Sequence, residues 1–90
     1  MKEMYKKALD SWYRLKNIVD NFNGTLEELC DDLGGHNLEE ELFDINFEWI
    51  CATIVQRDNK LELTNSIEIW DDENFEFLGT FDIEWLEKNI

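Results

Sequence analysis

FDINFEWICATIV, residues 43–55, decides the fold. β-Branched and aromatic residues dominate it, and the helical spacing of apolar residues seen earlier in the chain stops here. It reads as a strand from Phe43 to Gln56. Downstream, Arg57-Asp58-Asn59-Lys60 is a turn and LELTNSIEIW, residues 61–70, is a second strand. Asp71-Asp72-Glu73-Asn74 is a second turn, and Phe75–Phe81 a third strand. The three form an antiparallel meander.

Upstream, the apolar residues follow a helical period. At 100° per residue, Met4, Tyr5, Ala8, Leu9, Trp12, Leu15, Ile18, Val19 and Phe22 fall on one half of a wheel, and the charged residues on the other. This predicts a helix over 3–22, stopped at Asn23-Gly24 with Gly24 in a left-handed position. Thr25 and Glu28 make a capping-box pattern for a short helix over 26–33, which Gly34-Gly35 ends. Asn37 with Glu40 suits one more helical turn through Leu38–Leu42. After the strands, Asp82 suits the cap of a short helix carrying Ile83, Trp85 and Leu86. The order is ααβββα, an α+β fold in one domain spanning residues 1–90, with the first helix covering the sheet.

Strand faces follow from register. A short even loop at 57–60 pairs Ile54 with Leu63 and Ile50 with Ile67. One face then holds Ile50, Ala52, Ile54, Leu63, Ile67 and Ile69, the natural seat for the first helix. An odd second loop adds Phe75, Phe77 and Phe81 to that face, and an even one sends them to the other. The odd loop sorts apolar from charged residues better. The opposite face then carries Phe47, Trp49, Trp70 and Leu78, mixed with Glu62, Glu68 and Glu76.

Charge is the unusual quantity. The 90 residues hold 22 acidic and 8 basic side chains, for a net charge of −14. Solubility of a small domain needs a net charge of only about 2–8. Residues 1–22 carry five basic and three acidic side chains, whereas residues 23–90 carry three and nineteen. A polyanion of this kind disfavours direct contact with nucleic acid or anionic membrane. The N-terminal sequence lacks a signal-peptide apolar run, and no stretch approaches a membrane span. Cys30 and Cys51 form no CxxC pair. The expectation is a cytoplasmic protein with reduced thiols.

The residues offer no constellation for catalysis. His36 is the only histidine, and with Cys30 and Cys51 it matches no zinc spacing. Local nucleophile signatures and phosphate-cradling glycine motifs are absent. Asp71–Glu76, DDENFE, fails the calcium-loop pattern, because Phe75 stands where an oxygen ligand is required. The expectation is a protein that is not an enzyme and needs no metal or cofactor.

What remains is the acidic surface. Its densest cluster with aromatic neighbours is Glu68, Trp70, Asp71, Asp72, Glu73, Phe75 and Glu76, the candidate partner-binding residues. Carboxylates packed this densely can stand where a nucleic-acid-binding protein or nuclease expects phosphates. The expected partner is therefore a basic protein, and the expected role an inhibitor that mimics DNA. In size and acidity the chain is similar to phage-encoded anti-CRISPR proteins and to bacterial immunity proteins that neutralise nuclease toxins. That similarity is one of character and transfers no residue. The alternative is a small structural or regulatory module, such as a homodimer through an aromatic sheet face. The sequence leaves the oligomeric state open.

Overall fold

The computed structural model describes residues 2–33, 36–39, 42–48, 50–58, 60–71 and 76–90. Among them, α1 (Lys2–Asp20) and α2 (Leu26–Leu33) precede strands β1 (His36–Glu39), β2 (Leu42–Phe47), β3 (Ile50–Arg57), β4 (Lys60–Asp71) and β5 (Glu76–Asp82). Helix α3 (Ile83–Asn89) follows. Every strand pairs antiparallel with its neighbour in the chain, in the order β1-β2-β3-β4-β5. The class is α+β, as expected, but the three-stranded meander and the ααβββα order are both corrected to a five-stranded sheet.

The correction begins inside the deciding stretch. Residues 43–55 are a hairpin and not one strand. Phe47 partners Ile50, so the chain reverses within two residues. Glu48 takes φ 54°, a left-handed conformation that costs a residue with a Cβ. Two hydrogen bonds hold it there: Ser11 Oγ donates to Glu48 Oε2 at 2.7 Å, and Arg14 donates to the same oxygen and pairs with its charge. With β2 a separate strand, its far edge presents unpaired backbone groups. His36–Glu39 satisfies them as β1. Of the helical turn expected over 38–42, Leu38, Glu39 and Leu42 lie in paired strands instead, because the ladder outcompetes one isolated turn, and residues 40–41 lie outside the described residues.

The apolar face of the sheet is the expected one. Ile50, Ala52, Ile54, Ile67 and Ile69 are buried, and Leu63 packs against them half-buried. Ile54 partners Leu63 as predicted, but Ile50 partners Ile69 instead of Ile67. Two extra residues on β4 bulge out between Leu63 and Ile67, and an even insertion leaves the faces unchanged. The bulge frees the Thr64 carbonyl from the ladder, and the Trp12 indole N–H donates to it at 3.0 Å.

The helices supply the other half of the core. Ala8, Leu9, Trp12, Leu15 and Val19 of α1 are buried in one cluster with the sheet's apolar face, Leu29 of α2, and Ile83 and Leu86 of α3. Full burial of a side chain such as Leu15 contributes roughly 1.5–3 kcal/mol. Thr25 Oγ1 accepts the Glu28 amide at 3.2 Å, as a cap should. Asp82 sits extended at the N-cap of α3 but makes no side-chain cap bond. Gly24 does not take the left-handed conformation expected of it, and Gly34-Gly35 lies outside the described residues. Among the described residues, Ser11 is the one buried polar side chain, and its bond to Glu48 explains its place on the apolar stripe.

The second hairpin combines both registers weighed above. Asp71 partners Glu76, so four residues separate them and the loop is even. A bulge inside the strands at Ile69/Trp70 then flips the parity. Phe81 joins the core side, partnering Ile67, while Phe77 partners Trp70 on the opposite face. Gly79 adopts φ 140° at this bulge, a conformation residues with a Cβ rarely take. Phe47 and Leu78, expected on the charged face, instead pack half-buried against the core. The hairpin at Glu48 reorients Phe47, and the bulge reorients Leu78.

Candidate functional site: the open face of the sheet

All three helices feed one core on one side of the sheet. Strand alternation sends the remaining side chains to the other side, which no helix among the described residues covers. Asn46, Cys51, Glu68 and Thr80 form a row across four strands of this open face. Asp44 and Thr53 pair beside them, with the Thr53 hydroxyl donating to Asp44 at 3.0 Å. Val55 and Glu62 pair nearer the β3–β4 turn, where Arg57 and Lys60 are also partners.

At the other end of the face, Trp70 and Phe77 stack with ring centroids 5.1 Å apart and an interplanar angle of 51°. They are 41% and 48% exposed, so both rings can be reached from solvent. Glu68 lies two residues before Trp70 on the same side of β4. The field here is negative. Burial pushes the Cys51 thiol up to about 11, and the neighbouring carboxylates of Asp44 and Glu68 push the same way.

The structure splits the predicted cluster. Glu68 and Trp70 share the open face. Asp71 and Glu76 are cross-strand partners, and alternation directs them to the helix side of the sheet, beyond the core. Two like charges directly opposite each other are unfavourable. Asp72, Glu73 and Phe75 lie outside the described residues. Phe77 was missed as a site residue, because its place depends on the bulge at Gly79. The lone glycine inside a strand was the available signal for that bulge.

A cleft of about 580 Å³ lies apart from this face, between α1 and α3, lined by residues including Trp12, Tyr13, Lys16, Asn65, Asp82 and Glu84. Several of its polar groups are already engaged. The Tyr13 hydroxyl donates to Glu87 at 2.5 Å, which raises the phenol's pKa, and Lys16 pairs with Asp20 while lying 5.9 Å from the Trp12 ring. The lining residues supply no nucleophile beside a base. Among the described residues, no group of three or more His, Cys, Asp or Glu is placed to hold a metal ion. No described helix is long and apolar enough to cross a membrane.

Comparison with protein-family models, with curated proteins and with solved structures finds no match to this chain. Its functional reading therefore rests on the geometry and charge described above.

Proposed function

We propose that this protein is a non-catalytic binding protein that docks the open face of its sheet onto a basic protein surface. That surface is one a nucleic acid would otherwise occupy, so docking inhibits the partner. The observation that carries the reading is the exposed Trp70–Phe77 pair beside Glu68, on a face left bare by the helices, in a chain of net charge −14. The aromatic pair supplies desolvated contact area and the carboxylates supply steering and register. A second copy of the same chain is a poor occupant, because two strongly negative molecules repel at the distances where docking begins.

The test is affinity capture from an extract of the source cells, run at low and moderate salt and with excess double-stranded DNA. The expected partner is basic, is released by DNA and by salt, and is lost from a Glu68→Lys/Trp70→Ala variant that keeps its circular dichroism. Capture of an acidic or neutral partner that is indifferent to DNA, to salt and to the double variant would overturn the reading.

A further inference from the structure

A basic surface can present lysine or arginine, and the two cations ask different things of a binding site. Lysine carries a compact, strongly hydrated ammonium that gains little from lying on a ring. Arginine carries a planar, weakly hydrated guanidinium that stacks on aromatic faces and takes a carboxylate through two parallel N–H donors. Trp70 and Phe77 form an aromatic platform, tilted and open to solvent. Glu68 stands two residues along β4, roughly 7 Å away along the strand. A guanidinium within about 6 Å of the Trp70 ring is thus in reach of the Glu68 side chain as well. Cys51 and Thr80, the cross-strand partners of Glu68, leave its carboxylate no cation in its own row. Arg57 and Lys60 lie at the far end of the face, by the β3–β4 turn.

Resting on the reading above, we propose that Trp70, Phe77 and Glu68 form a seat for one arginine side chain of the basic partner. The guanidinium lies on the ring pair and directs its N–H groups to Glu68. Selectivity for arginine over lysine then comes from the rings, while affinity for either cation comes from the overall charge.

The experiment uses capped hexa-arginine and hexa-lysine peptides of equal charge as probes. Calorimetry at two salt concentrations gives affinities, and backbone amide shifts locate the contact. Hexa-arginine is expected to bind about threefold or more tighter than hexa-lysine, with shifts centred on residues 68–70 and 77–80. In Trp70→Leu/Phe77→Leu the two affinities converge, and circular dichroism checks the fold. Glu68→Gln, which leaves the rings intact, weakens arginine binding more than lysine binding. Equal, salt-dependent binding of both peptides to the wild type overturns the arginine seat and leaves the basic-partner reading standing. So does an arginine preference that survives the double variant. Failure of both peptides to bind at low salt overturns the two together, as does self-association of the free protein through these rings.

Discussion

At the residue scale, single conformations decide which face a side chain occupies. Gly79 is the clearest case. A Cβ there meets the Phe81 ring at 3.4 Å, an ordinary contact, so φ 140° and not crowding sets the cost of substitution. Gly79→Ala is expected to lose about 1–3 kcal/mol in urea denaturation. Glu48 is the converse, a residue held left-handed by its own side chain. The hydrogen bond from Arg14 is the main cause of its lowered pKa, followed by that from Ser11. The folded state therefore favours the carboxylate. Its contribution is complete above the ordinary value of 4.5 and is lost as pH falls through the lower folded value. Glu48→Gln is expected to be less stable than the wild type at pH 7, with the gap closing toward pH 3. Cys51 gives a third test. With its pKa near 11, the thiol is ionised to roughly one part in a thousand at pH 8, so a disulfide reagent should react slowly with it in the folded protein. Glu68→Lys is expected to quicken that reaction by removing one of the charges that disfavour the thiolate.

At the scale of elements, α1 and β4 are tied through the bulge. Trp12→Phe keeps most of the ring but removes the donor to the Thr64 carbonyl, and should cost about 2 kcal/mol or more through the lost bond and the smaller side chain. Denaturant titration checks it, with an unchanged midpoint counting against the tie. These elements also mark what was legible beforehand. The stripe of α1, the limits of α2 and the inward set of β3 and β4 were readable, since each rests on a period that a local sequence carries. Ile18 and Trp85 obey their periods yet stay 37% and 44% exposed, Ile18 beside the buried Val19 and Trp85 laid against the half-buried rings of Tyr5 and Phe81 at the rim of the core. The break at Glu48 was not readable, since Glu-Trp is no turn dipeptide and its stabilising partners lie on α1, 37 and 34 residues away. Two of the three residues of the candidate site were readable for the same reason. Glu68 and Trp70 follow from alternation along one strand, whereas Phe77 requires the parity change at Gly79.

Over the whole molecule, charge and topology set the behaviour. Screening relieves the self-repulsion of a chain at −14, so moving from about 10 to 300 mM salt should stabilise the fold. A gain of ~1 kcal/mol corresponds to about 4–8 °C in Tm for a chain of this size, and a fall in Tm would contradict the role given to charge. The same repulsion makes a monomer the expected species in sedimentation at low salt. The consecutive order of the strands has a kinetic consequence as well. Each strand pair closes a short loop between chain neighbours, so the sheet can zip hairpin by hairpin with little closure entropy. Docking of α1 is different, for its bond from Trp12 to Thr64 spans 52 residues. Refolding is therefore expected to assemble the meander first and seat the N-terminal helix late. Substitutions at the α1–β4 contact should then act mainly by hastening unfolding, while those within the hairpins should slow folding itself.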